Sequence, residues 1–431
     1  MSSNAAEPMN LLQPSRSFLT LEPGFALFAR YRPLIVKLAL FKAIYLTLVS
    51  LAVLAYPSYF AVSQLEQVNS GWLPLEGPGA EAGKQGSFAR HFATWDAAHY
   101  LSLSMGGYSP EMRACAFYPL WPMLIRIVSF GNSGVQVFVG MVLANILSVA
   151  GWTLFYHVTS NRFGDTVAKR ALILLIAFPG SLFYQFIYTE PLFFLLTITL
   201  FYGLQENRLN VACAAAFLLP LTRAIGLFSL LPIGWHWLTR SPNARPFERF
   251  PWLRSERQLA GPPLEAGRKW HVLLAAPIVG MCFYFYLMAY WTGNPFQGFE
   301  AQTYWGAHSI SNLFNLPKFS ASFLDITEWH EFRGSLLDKL AFLPIIYSLV
   351  TIWRSGRDLI VWIYILAILP AMSGGFVSFL RYESVAFPVF IGLAIILSKR
   401  SSRTAFWSVT MGMAILHLVL LWRFVNYRWA G

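Results

Sequence analysis

The strongest constraint on this chain is a series of apolar runs of about 17 residues or more, each long enough as a helix to cross a hydrocarbon core of roughly 30 Å. Strand-length alternation is absent, so the buried backbone must be satisfied inside helices and not in a closed barrel. The composition agrees. Of 431 residues, 56% are hydrophobic and 12% charged, where soluble domains carry about 25% charged residues. The expected fold is all-α: a polytopic transmembrane helix bundle forming one domain over residues 1–431.

A net charge of +12 raises the question of nucleic acid, but the basic residues gather at helix ends and in one connecting loop, as the positive-inside rule requires. No soluble basic-aromatic domain is present, so no nucleic-acid partner is expected. Cys115, Cys213 and Cys282 have no CxxC spacing, and neither a disulfide framework nor a zinc site is indicated.

The segment 1–33 is polar and mixed in charge, unlike a cleavable signal peptide, and is expected to be cytoplasmic. Span one is expected at 34–60, as an uncleaved anchor. A first non-cytoplasmic loop, 61–133, follows; its Gly/Pro-rich piece at 77–86 is expected to be a mobile tip. The amphipathic stretch 117–130 within it reads as an interfacial helix. Span two is expected at 134–157. The next apolar runs (171–188, 191–205, 209–221, 224–239) are short and interrupted at Thr189-Glu190-Pro191, Glu206–Arg208 and Thr222-Arg223. Such segments pack inside a bundle, where broken backbone can be satisfied. Longer runs at 269–291, 337–354, 358–378, 381–398 and 404–424 bring the expected count to about eleven. The loop 239–268 is basic, with seven Lys or Arg between Arg240 and Lys269 against three Glu, and is assigned to the cytoplasm together with the turn Lys399–Arg403. The 61–133 loop and a second loop, 292–336, then lie on the non-cytoplasmic face.

The first loop carries the chemistry. If 92–104 is helical, Asp96, His99 and Tyr100 share a face by i, i+3 and i+4 spacing. A carboxylate in that aromatic setting can take a proton from a sugar hydroxyl; the alternative is a solvated surface acid. Glu111 either assists Asp96 or caps a helix. Glu190 stands directly before Pro191, so either it or Thr189 caps that helix, or Glu190 binds sugar hydroxyls. Arg223 falls in an apolar region flanked by Arg208 and Arg240, where an unpaired charge costs about 3 kcal/mol. Its partner is either a lipid phosphate, which Arg grips in bidentate fashion, or Glu190. Arg381 has the same phosphate reading beside an interfacial-snorkelling one, and Arg113 is a further phosphate candidate. His91, Asp96 and His99 match no common metal motif. Tyr184 and Tyr188, taken as one helical turn apart, are assigned to the core.

The pattern Trp95-Asp96-x-x-His99-Tyr100, Gly107-Tyr108 with Glu111, and Ala116-Phe117-Tyr118-Pro119-x-x-Pro122 resembles the luminal loop of the GPI mannosyltransferase II (PIG-V) family. Three later pieces agree in order: Phe178-Pro179 through Tyr188-Thr189-Glu190, then Thr222-Arg223-x-x-Gly226, then Arg381-Tyr382 with Phe387-Pro388. The resemblance implies a GT-C fold and an inverting transfer of mannose, or a similar hexose, from a polyprenyl-phosphate donor to a glycolipid or other membrane-proximal acceptor. It implies Asp96 as catalytic base, with His99, Glu190 and Arg223 near the site. The absence of Asn-x-Ser/Thr sequons and the compact loops suit a bacterial relative with its site facing the periplasm or exterior; a eukaryotic one would place it in the ER lumen. No cofactor is expected, since arginines can stabilise the departing phosphate without a divalent metal. The rival readings are a lipid or solute transporter, whose inverted repeats are not seen here, and a non-catalytic subunit of a glycosylation complex.

Overall fold

The computed structural model describes residues 24–56, 60–69, 88–240, 269–306, 309–398 and 403–431. The expected loop tip at 77–86, nearly all of the basic loop 239–268 and most of the turn 399–403 lie outside the described residues. Within them the chain is mostly helical, with connecting turns and one isolated bridge between Glu328 and Ser335.

Five helices are long and apolar enough to cross a membrane: Ala29–Ala55, Ser133–Phe163, Trp270–Thr292, Leu336–Ser355 and Arg403–Val425. Four shorter apolar helices accompany them, Glu190–Gln205, Leu209–Leu221, Asp358–Gly374 and Phe387–Leu397. Among the described residues there are thus two kinds of apolar helix, long and short, as the interrupted runs implied, and nine such helices where about eleven spans were expected. The long ones keep lipid-facing stripes. In the first, Val36, Leu40, Ile44, Leu48 and Leu51 are exposed, while Leu38, Lys42, Val49 and Val53 point inward. Three of the short ones have no exposed residue, as in Glu190–Gln205, where twelve of sixteen are buried, while Leu209–Leu221 exposes only Asn210, Val211 and Ala214. Sixteen residues rise only about 24 Å, so such a helix needs non-helical backbone to complete its passage, and only a protein interior can satisfy that backbone.

The first break shows how. The helix Asp165–Ala177 stops because Phe178 precedes a proline and is pushed to extended backbone (ψ 136°). A 3-10 turn, Pro179–Tyr184, and an irregular stretch follow until Pro191 opens the next helix from its first turn. Tyr184 and Tyr188 are therefore not one helical turn apart as expected, although both are buried in the core. The exposed carbonyls of the break find donors from elsewhere: Lys42 Nζ donates to the Tyr184 carbonyl (3.1 Å) and to Gln185 Oε1 (2.6 Å), and Asn145 Nδ2 to the Gln185 carbonyl (3.0 Å). A Cβ at Gly180 would run into the Leu380 carbonyl, so glycine is what allows the break to meet the segment Phe379–Glu383. Gly226 likewise lies against the Leu219–Pro220 backbone, closing the second break, with Arg223 extended (φ −158°, ψ 145°) at its bend.

In the first loop, the helix Asp96–Gly106 is followed by the amphipathic helix Leu120–Val128. Trp121 and Ile125 of the latter are fully buried, while Ile127 and Phe130 are exposed. Arg126 donates from Nη1 to the Met105 carbonyl (2.7 Å), capping the preceding helix. The second loop contributes the helices Gln297–Trp305 and Leu316–Leu324.

Candidate active site

Asp96 is the first residue of its helix, where the aligned peptide dipoles favour a negative charge. Trp95, just before it, has φ 53° and ψ −123°, a backbone conformation that costs a bulky residue about 1–3 kcal/mol. His99 and Tyr100 follow on the same face, as the spacing predicts, and both are buried. Leu103 continues that face into the bundle.

Asp96 accepts a hydrogen bond from Arg381 Nη1, 285 positions away in sequence. Arg381 Nε donates to Glu190 Oε1, and Arg223 Nη2 donates to that same oxygen. Arg223 Nε also reaches Thr189 Oγ1 (3.0 Å), which lies 3.5 Å from the Tyr100 hydroxyl. The result is a row of alternating charge, Asp96–Arg381–Glu190–Arg223, with one residue from each of the four regions that the sequence motifs marked. The Glu190 side chain is fully enclosed, those of Arg381 and Arg223 are nearly so, and that of Asp96 keeps 26% of its surface exposed. Each guanidinium stands over aromatic faces: Arg381 over Tyr188 (4.6 Å) and Phe183 (5.4 Å), Arg223 over Tyr382 (5.1 Å) and Phe193 (5.4 Å). The row is formally neutral. Its inner end keeps unused capacity, since Glu190 Oε2 and Arg223 Nη1 have no hydrogen-bond partner among the described residues. Burial holds the Tyr100 phenol well above its usual pKa, so it remains a neutral donor.

The structure therefore decides several alternatives. Glu190 makes no side-chain cap to its helix; it is the shared acceptor of two arginines. Arg381 does not snorkel to an interface but is buried between two carboxylates. His99 is packed between the Phe117 ring (stacked, 4.8 Å) and the edge of Trp305 (5.0 Å). Two candidates lie apart from the row. Glu111 is exposed at a left-handed turn (φ 60°), with no hydrogen bond or ion pair to Asp96. Arg113 is exposed, and its guanidinium stands over Tyr304 (5.4 Å). Asp96 opens the eleven-residue helix Asp96–Gly106 and both residues follow its far end, so about 15 Å of helix lies between them and the carboxylate.

No group of three His, Cys, Asp or Glu residues suited to a metal is gathered among the described residues. His91 Nδ1 meets the Val425 carbonyl at 2.6 Å. Residues that stand in the sequence motifs without a site role assigned to them include Thr189 and the ring partners Phe183, Phe193 and Tyr382; outside the motifs is Trp305, whose Nε1 donates to the Arg113 carbonyl (3.2 Å). Gln302 Nε2 donates likewise to the Ala116 carbonyl (3.0 Å), so the second loop is fastened onto the first. Nothing in the local pattern around 297–305 signals this contact.

Fold and site together define a multi-pass, all-helical integral membrane protein with an ionic centre buried beneath its first long loop. The chain belongs to the mannosyltransferase (PIG-V) family, whose model matches residues 35–287. No curated protein matches the sequence. Among solved structures, the chain is similar to ArnT from Cupriavidus metallidurans bound to undecaprenyl phosphate, at 15% identity and a TM-score of 0.44, covering 75% of this chain and 58% of that one. It is also similar to the Archaeoglobus fulgidus oligosaccharyltransferase tethered to an acceptor peptide, at 12% identity and a TM-score of 0.41, covering 86% and 55%. The chain spans somewhat over half the length of each.

Proposed function

We propose that this protein is an inverting glycosyltransferase that moves mannose, or a similar hexose, from a polyprenyl-phosphate donor to a glycolipid or other membrane-proximal acceptor on the non-cytoplasmic face. The observation that carries this reading is the charge row itself. A half-buried carboxylate is paired with one of two enclosed arginines that converge on a single glutamate oxygen, in a chain of a mannosyltransferase family.

In the proposed step, the Asp96 carboxylate takes the proton of the acceptor hydroxyl. The acceptor oxygen forms a bond to the anomeric carbon from the face opposite the donor phosphate. The bond between that carbon and the phosphate oxygen breaks, and its electron pair leaves with the polyprenyl phosphate. Arg223 and Arg381 stabilise the charge that remains on this phosphate. Their positions are fixed beforehand by Glu190, so little reorganisation accompanies the reaction. The polyprenyl chain lies along the apolar wall of the bundle, with the Leu120–Val128 helix bordering its access.

The test is to incubate the purified protein with labelled polyprenyl-phosphate mannose and a membrane lipid extract, and to identify the labelled product. Label passing to a lipid is expected. Donor movement across vesicles without transfer would favour a transporter instead. For sidedness, a cysteine at exposed Ser109, in a background lacking Cys282, should react with an impermeant thiol reagent in intact cells. Labelling only after permeabilisation would reverse the orientation.

A further inference from the structure

Trp95 occupies a backbone conformation that persists only where its surroundings over-determine it, and those surroundings come from the far end of the chain. The Tyr427 ring stacks on Trp95 (5.6 Å, 27° between planes), and Trp429 meets it edge-on (5.4 Å, 88°). Trp95 Nε1 donates to the Arg428 carbonyl (3.3 Å). Tyr427 also packs on Ala98, so the same segment grips the chain on both sides of Asp96.

The segment is itself tied down. Arg423 Nε donates to the Trp429 carbonyl (2.7 Å), closing a loop that turns at Tyr427 (φ 61°). Arg423 Nη2 reaches Glu331 (2.5 Å) and the His330 carbonyl (3.2 Å), and Trp429 stands edge-on to Phe332 (5.0 Å). The grip is thus anchored to both the last span and the second loop. Trp429 is only half-buried, so it is poorly placed to serve as core packing.

We infer that residues 427–429 form a positioning element for Asp96, holding Trp95 in the strained conformation that sets the carboxylate beside Arg381. The inference rests on the reading of Asp96 as the base. It assigns Tyr427 and Trp429 no contact with substrate; they act through Trp95.

The experiment compares Trp429→Ala, Trp429→Leu and Trp429→Phe in mannosyl transfer from polyprenyl-phosphate mannose, with melting temperatures measured on the same preparations. The alanine and leucine variants should lose tenfold or more in kcat, with donor KM and melting temperature unchanged. Phenylalanine keeps an aromatic edge against Trp95 and should recover most of the loss. Wild-type kcat in the leucine variant overturns the inference. So does a loss that tracks melting temperature and is not rescued by phenylalanine. Asp96→Asn is run in parallel: if it transfers normally, the underlying reading of Asp96 fails, whereas an inactive Asp96→Asn beside a fully active Trp429→Leu removes only the positioning role.

Discussion

Two ion-pair systems lie at opposite ends of this bundle, and they are built on different plans. Where the helix Gln136–Phe163 ends, Arg162 meets Asp358 fork to fork, Nη1 to Oδ2 at 2.7 Å and Nη2 to Oδ1 at 2.6 Å. Each carboxylate oxygen has its own N–H, and the pair ties together helices 196 positions apart. At the other end, two arginines converge on one oxygen of Glu190, while Glu190 Oε2 and Arg223 Nη1 bond to nothing in the described residues. In the closed pair every charged atom in contact has a matched partner, and it reads as a fastening. The open row holds charge ready for something that is not protein, and it sits between aromatic rings that keep water from screening it.

Substitution at both ends separates the two plans. The largest effect is expected at Asp96. Asp96→Asn preserves shape and hydrogen bonding but cannot accept a proton, so transfer should fall by about 10²–10⁴-fold with donor binding retained; activity near wild type would move the base elsewhere. Next is Arg223→Lys. Lysine keeps the charge that Glu190 requires but loses the two-pronged contact. Removal of one charge-assisted hydrogen bond, worth about 1.5–3 kcal/mol, should weaken donor binding roughly 10- to 150-fold in a protein that still folds. Unchanged donor affinity in a titration would leave Arg223 as a structural partner alone. The smallest effect on function is expected at the closed pair. Asp358→Asn should lower thermal stability by about 1–3 kcal/mol yet leave kcat and donor KM as they were. A change in transfer there would show that the two ends are coupled.

The sequence made the membrane class and the motif residues legible because both rest on short-range patterns: apolar length for the spans, and i, i+3, i+4 spacing for Asp96, His99 and Tyr100. Glu190, Arg223 and Arg381 could be suspected because a charge in an apolar run demands a partner. Glu190 was one of the two partners offered for Arg223 and is the one it meets, but the partners of Arg381 were not legible. Arg381 reaches Asp96 across 285 positions, and whether it snorkels or pairs depends on how the breaks at Phe178-Pro179 and Arg223 fold back. Glu111 and Arg113 lie apart from the row for the opposite reason: they are close to Asp96 in sequence, but the helix Asp96–Gly106 runs between, with Asp96 at its start. The strain at Trp95 is likewise invisible in the letters Trp-Asp, since residues from 427 onward impose it.

Lys42 carries a consequence for how the chain is made. Its ammonium lies within the first span and bonds to Tyr184 and Gln185, which the ribosome adds more than 140 residues later. Until they emerge, the span must enter the bilayer with an unmatched lysine, at a cost of about 2.5–3.5 kcal/mol near the middle of a helix. The first segment therefore reaches its final depth and rotation only once the interior break is synthesised. The order of translation is thus written into the position of one lysine.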